Sequence, residues 1–235
     1  MNLKIGQKNE NNYFNISIYW TNLSKFFAGL CFYCPVKEGT KTETKHYNAK
    51  DKIQSTDKQT ILSKKVTGKD VSVTVKSESY DDKEKLQFSK DLTFECKNGV
   101  FFFDMQNFID PKTMEGFKDM QVKMTATNLE IPASPSAGNA LPDGNIQINV
   151  SNQGITMMNM TIKIYNRKVE ALEKLTTPAG TFDCMKITYD VETKMMFKIQ
   201  SKGVEWIAKE VGVVRSENYD SKGKLIDYSV LSFIK

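Results

Sequence analysis

The sequence predicts an all-β, antiparallel protein: a strongly curved sheet, or a partly open barrel or sandwich of hairpins, with one short helix. Three observations carry that expectation. Apolar residues recur at every second position over much of the chain from residue 40 onward, one turn-forming motif occurs three times, and a single stretch has helical spacing. A chain of 235 residues suits one all-β domain, and 40% hydrophobic with 26% charged residues supplies enough apolar surface for a core.

The alternation is explicit in Val71, Val73 and Val75, in Ile146, Ile148 and Val150, and in Met158, Met160, Ile162 and Ile164. Met185, Ile187, Tyr189 and Val191 repeat it, followed by Met195, Phe197 and Ile199, then Val211 with Val213 and Ile226 with Tyr228 and Val230. Period two with β-branched and aromatic residues marks strands with one buried face. After Val230 the apolar positions shift to Leu231 and Phe233, which predicts a bulge.

The recurring motif is Tyr47-Asn48-Ala49-Lys50-Asp51-Lys52-Ile53, echoed from Tyr80 to Leu86 and again from Tyr219 to Leu225. Asx side chains bond nearby backbone amides and tolerate the left-handed region, so all three read as hairpin tips. Asn98-Gly99 is a two-residue hairpin signal. Thr177-Pro178-Ala179-Gly180-Thr181 is a further turn before a strand from Phe182. The helical stretch has Asp110-Pro111 as its start and Met114, Phe117 and Met120 at three-residue spacing, with a short helical turn expected around Met105, Phe108 and Ile109. The Pro- and Ser-rich segment from Pro132 to Gly144 is a long loop, either a lid or plain surface.

Residues 1–30 form an atypical N-terminal segment, and the expected β-rich domain is 31–235. The segment resembles a degraded export signal: Lys4 and Lys8 precede an Asn-rich stretch, and Asn22 and Lys25 interrupt the apolar region ending in Phe26 to Tyr33. No stretch approaches the roughly 20 apolar residues of a membrane span. The net charge of +5 is dispersed among acids, without the clustering of a nucleic-acid footprint.

Cys31 and Cys34 form a C-x-x-C pair without a second ligand pair, so no metal or cofactor is expected there. Cys96 and Cys184 are either a disulfide or two separate buried thiols. The single histidine, His46, has no Gly-x-Ser-x-Gly partner motif, and neither a phosphate-binding nor a dinucleotide-binding glycine motif occurs. The leading expectation is therefore a non-enzymatic domain that binds or carries an apolar or envelope-derived ligand. Met158, Met160, Met196 and Trp206 are the candidate contacts, with a Met-rich core and a core plug as their structural counterparts. In Met157-Met158 and Met195-Met196, strand neighbours would face opposite sides, which calls for something covering the second side. A structural envelope scaffold without a small ligand is the alternative, and an enzyme with a carboxylate pair among the 28 acids is the second alternative.

Several strings together resemble a bacterial family of exported proteins of unknown function related to those called TapB. They are Cys34-Pro35-Val36-Lys37-Glu38-Gly39, Cys96-Lys97-Asn98-Gly99-Val100-Phe101 and Asn166-Arg167-Lys168-Val169-Glu170. Two more specific ones are Thr177 to Cys184 and Val204 to Val214, with Tyr219 and Gly223-Lys224-Leu225 following. The resemblance spans about residues 31–235 and implies a β-rich domain of the periplasm or cell envelope, with no catalytic residues assigned.

Overall fold

The computed structural model describes residues 32–109 and 117–235. The expectations for residues 1–30, Cys31 and the helix start at Asp110, Pro111 and Met114 lie outside the described residues. Thirteen strands occur: β1 (Lys41–Asn48), β2 (Ile53–Thr67), β3 (Asp70–Asp81), β4 (Leu86–Lys97), β5 (Val100–Phe103), β6 (Gln121–Thr127) and β7 (Leu129–Pro132) come first. The rest are β8 (Gly144–Asn152), β9 (Ile155–Thr177), β10 (Gly180–Lys194), β11 (Lys198–Ala208), β12 (Gly212–Asp220) and β13 (Leu225–Ile234). All pair antiparallel in one sheet of order β6-β8-β9-β10-β11-β12-β13-β1-β2-β3-β4-β5-β7. The sheet curls into a nearly closed barrel: Gly144, at the start of β8, lies so close to Leu129 of β7 that a Cβ there would sit 2.5 Å from Leu129 Cδ2.

Local chemistry explains the turns. In each of the three repeated tips the leading Asx side chain accepts two backbone amides, from Lys50 and Lys52, Lys83 and Lys85, and Lys222 and Lys224. The left-handed position falls at Asp51, Glu84 and Gly223. The bulge expected near Val230 is present: Glu43 pairs with Phe233 and Thr44 with Leu231, leaving Ser232 extra. Its hydroxyl donates to Glu43 at the backbone carbonyl (3.1 Å) and at Oε1 (2.8 Å).

Among the described residues the helical content is a single 3-10 turn, Met105–Phe108, capped by the Asp104 side chain on Gln106 N–H. Phe117 to Met120 form a turn whose Phe117 and Met120 pack on the core. Two clusters fill the interior, one around Val73, Val75, Phe94 and Ile187, the other around Met105, Ile146, Ile148 and Val150. A third, with Trp206, Cys184, Ala208 and Val214, sits on the opposite face of β10–β12.

Two expectations need correction. Met195 and Phe197 are exposed because β10 ends at Lys194 and Met195 to Phe197 form the hairpin tip, and Ile199, although in β11, is exposed as well. The opposite-sides argument therefore does not apply to Met195-Met196. In the C-terminal hairpin Val214 rather than Val213 is buried, because a bulge opposite Trp206 and Ile207 inserts Val214 between paired positions, and on β13 Leu231 is buried while Ile226 and Phe233 are exposed.

Cys96 is disulfide-bonded, whereas Cys34 and Cys184 are buried thiols. No Cys96–Cys184 bridge forms: Cys96 belongs to the first interior cluster and Cys184 to the cluster on the other face. Burial pushes the Cys34 thiol up to about 12, and burial with nearby Asp183 and Glu173 pushes Cys184 to about 11, so neither is a ready nucleophile. Cys96 is thus withdrawn from the thiols, whereas Cys34 and Cys184 are not. Thiol titration of denatured, unreduced protein is expected to find fewer than four reactive groups and, after reduction, all four. Four before reduction would contradict the assignment.

Candidate functional site

Strand β9 changes phase halfway along its length. Ile164 is buried, Tyr165 and Asn166 are not, and Arg167 and Val169 are buried again. The cause is a bulge: Thr188 pairs with Lys168 and Asp190 with Tyr165, so Asn166 and Arg167 together oppose Tyr189. Asn166 adopts φ +54°, a left-handed conformation that Asn tolerates better than most residues. The extra residue turns Arg167 into the barrel, where Nη1 donates to the carbonyls of Glu130 (3.1 Å) and Pro142 (2.5 Å). Glu130 lies on β7, the last strand of the order, and β9 is third from the other end, so Arg167 ties the two sides of the curled sheet together.

The 133–143 segment is held against the same stretch of β9. Leu141 N–H donates to the Arg167 carbonyl (2.9 Å), and Val169 N–H to Asn139 (2.9 Å). The long loop expected from the sequence is thus pinned to the barrel wall.

Glu205 of β11 points into the same interior. Gly203 makes its setting: Tyr189 is its cross-strand partner on β10, and the tyrosine ring lies over the glycine, where a Cβ would meet Cε2 and Cζ at 2.2 Å. Lying flat, the ring carries its hydroxyl to Glu205 Oε1, to which it donates at 2.9 Å. Burial raises the Glu205 carboxyl above the ordinary glutamate range, opposed by the Tyr189 hydrogen bond and the Arg167 charge. Burial likewise raises Tyr189, reinforced by Glu205, and lowers the Arg167 guanidinium, opposed by Glu205. Arg167 and Glu205 attract one another without direct ion-pair contact, and among the described residues only Nη1 of the guanidinium is engaged by protein oxygens.

Both groups line a cavity of about 250 Å³. Its other walls are Phe94, Phe101, Phe103, Leu129, Ile131 and Ile207, with Thr42, Thr44, Gln59 and Val213 among its further lining residues. Phe101 stacks with Phe94 and takes Tyr33 edge-on, with centroids 6.0 and 5.9 Å apart. Apolar walls with a few convergent polar groups are the usual make-up of a small-molecule site. A broader groove of about 520 Å³ passes Leu172, Lys174, Asp183 and Lys209 on the outside, and its Lys174–Asp183 pair is well solvated.

None of the four residues singled out in the sequence lines this cavity. Met160 is buried and Met158 half-buried in the second cluster, while Met196 is exposed at the β10–β11 tip. Trp206 is buried in the third cluster, donating from Nε1 to Glu173 Oε1 (2.6 Å) beneath the Lys186 ammonium. His46 pairs with Asp57 at 2.9 Å in a half-buried position on neighbouring strands. Among the described residues no group of three or more His, Cys, Asp or Glu is placed to hold a metal. No helix among them is long and apolar enough to cross a membrane.

The residues that the sequence reading missed are Arg167, Glu205 and Tyr189. Folded Glu205 keeps its proton to higher pH than in the unfolded chain, because burial outweighs its partners. Its contribution to stability is present in full below the ordinary glutamate pKa and is lost as pH rises through the raised value. Glu205→Gln, which keeps an acceptor for Tyr189, is expected to gain stability relative to wild type at pH 8 compared with pH 4. Parallel changes with pH in both proteins would contradict this.

A family model described as DUF3108-like matches residues 37–231. Among solved structures the chain is similar to a Bacteroides fragilis protein with a YmcC-like fold that is inferred to be exported. That match has 25% identity over 87% of this chain and 99% of that one, with a TM-score of 0.70. It is also similar to a protein of Parabacteroides distasonis inferred to be a lipoprotein, with 27% identity over 87% and 98% of the two chains and a TM-score of 0.71. No curated protein matches the chain.

Proposed function

The chain belongs to the DUF3108-like family, and from that premise we propose that it is an exported, non-catalytic domain of the bacterial envelope whose barrel interior binds an apolar ligand with an acidic head. Export is supported by the two similar proteins, both inferred to be exported or lipoproteins, and by the disulfide at Cys96, a bond that persists in oxidising compartments. Kinship with the proteins called TapB, read from the Thr177–Cys184 and Val204–Val214 strings, is part of the same proposal.

The observation that carries the binding reading is Arg167: a guanidinium buried in a largely apolar cavity, with only one of its nitrogens engaged among the described residues. Its remaining N–H groups can donate to a carboxylate, and Glu205, held toward its neutral form by burial, can share a proton with that same head. At about 250 Å³ the cavity falls just below the roughly 300–1,000 Å³ that hold drug-sized ligands, which favours a single acyl chain over a polycyclic body. Glu205 is the one carboxylate among the described lining residues, whereas paired-carboxylate hydrolysis uses two, and this favours binding over catalysis.

The test is calorimetric titration with decanoate and decanol. Wild type is expected to bind decanoate more tightly than decanol, and Val213→Trp, which places an indole in the cavity lining, to lose both. Arg167→Met should erase the preference, though loss of the clasp also lowers stability, so the wild-type preference and the Val213→Trp result decide. An envelope scaffold without a small ligand predicts no saturable binding by folded wild type. That result, or binding indifferent to Val213→Trp, overturns the proposal.

A further inference from the structure

Large exposed apolar side chains gather at one end of the sheet. The β10–β11 tip reads Lys194-Met195-Met196-Phe197-Lys198, with Met196 89% and Phe197 78% exposed. The tip is closed by Met195 N–H donating to the Phe197 carbonyl (3.2 Å), a bond that any residue could make. Turn geometry therefore does not account for three large apolar side chains where Asn, Asp or Gly are usual. Beside this tip, Lys194 pairs with Thr161, so β9 runs on past the end of β10 to Ile155, which is 68% exposed.

The charge around the tip has one sign in excess. Glu192 bonds Lys198 at 2.7 Å and also feels Lys163 and Lys194, so three ammonium groups surround one carboxylate. On one side of the tip, strands β6, β8 and β9 contribute Lys123 and no carboxylate between Gln121 and Thr127 or between Gly144 and Lys168; on the other side, the β12–β13 tip carries Asp220 with Lys222 and Lys224, so lysines outnumber acids on both sides. Protruding Met and Phe ringed by lysines complement a surface that is apolar beneath and negatively charged on top.

We propose that this end of the barrel docks on an anionic phospholipid surface, with Met196 and Phe197 entering the boundary between headgroups and acyl chains and Lys163, Lys194 and Lys198 meeting lipid phosphates. Side chains of this kind bind interfaces through buried apolar area plus attraction to anionic lipid. The proposal is independent of the interior cavity, since none of these residues lines it.

The test is co-sedimentation of the full chain with phosphatidylglycerol or phosphatidylcholine vesicles. Wild type should bind the first strongly and the second weakly, and added salt should release it. Met196→Ser/Phe197→Ser is expected to weaken binding about tenfold or more, and Lys194→Gln or Lys198→Gln about fivefold each. Thermal melting should be unchanged in every variant, because these side chains are not in the core. Phe197→Trp should show blue-shifted emission with phosphatidylglycerol vesicles. Equal binding by wild type and the double variant, or equal binding to both lipids, overturns the proposal. So does lipid-free dimerisation that the double variant abolishes, since that would make a second copy the occupant.

Discussion

A chain ending at Lys209 is expected to show no cooperative melt. The truncation removes β12 and β13, which lie in the middle of the strand order rather than at its end. What remains is β6-β8-β9-β10-β11 on one side and β1-β2-β3-β4-β5-β7 on the other, and neither β11 nor β1 has its second neighbour. The loss includes Val214 and Leu231, both fully buried or nearly so, and Ser229, whose hydroxyl bonds Ser216 at 2.6 Å. Two large apolar side chains are worth about 3–6 kcal/mol at roughly 1.5–3 kcal/mol each. The ladder pairs of β12 with β11 and of β13 with β1 go as well. Against a total stability of about 5–15 kcal/mol for an ordinary domain, the remainder is not expected to hold a curled sheet. The two bare edges also invite aggregation. Differential scanning calorimetry of the truncated chain tests this, and a sharp near-native transition would contradict it.

Gly203→Ala is the single substitution expected to cost most. Its backbone is not in the left-handed region, so the cost is steric: the new methyl would overlap the Tyr189 ring at 2.2 Å, and the ring must leave. Overpacking of this kind costs about 1–3 kcal/mol. Displacing the ring also breaks the Tyr189–Glu205 hydrogen bond, and leaving a buried polar group without its partner costs about 1–3 kcal/mol. A total of about 2–6 kcal/mol follows from these two ranges. The mechanism makes a second, sharper claim. In a Tyr189→Ala background the clash has no partner, so adding Gly203→Ala should cost little, and the double-mutant cycle should show strong coupling. Urea denaturation of the four proteins measures it. Additive effects, or a Gly203→Ala cost below about 0.5 kcal/mol, would contradict the account.

How much of this was legible can be traced through particular residues. Val73, Val75, Ile146, Ile148 and Val150 announce buried faces because β-branched residues alternate there without interruption, and all five are fully buried. The three Asx-Lys tips were readable because the turn is made by the Asx side chain itself, a local bond. The order of the strands was not readable. The pairing of β1 with β13 joins residues nearly a whole chain apart, and nothing local to Lys41–Asn48 names its partner. Met195 and Phe197 failed as strand residues because alternation reports apolar spacing, not where a hairpin turns, and Ile199, paired with Thr193 in β11, faces solvent.

The candidate site was hidden for a related reason. In sequence Arg167 is one basic residue within Asn166-Arg167-Lys168, indistinguishable from a solvated surface string. A signal was present. The apolar phase set by Ile162 and Ile164 reaches Val169 only if one residue is added, and Asn166 is the residue able to take the left-handed conformation that adds it. Glu205 carries a weaker mark, a lone carboxylate two positions from Gly203 in an otherwise apolar stretch. Its role depends on the Tyr189 ring lying across that glycine, which spacing alone does not reveal.

The central claim is that the bulge at Asn166 turns Arg167 into the barrel to receive an acidic head. The most direct measurement is a crystal structure of the protein with decanoate. The account predicts the acyl chain between Phe94, Phe101 and Ile131, its carboxylate on the Arg167 guanidinium and beside Glu205, and Nη1 still bonded to the carbonyls of Glu130 and Pro142. Decanoate lying in the outer groove by Leu172 and Lys174, with nothing on Arg167, would contradict it.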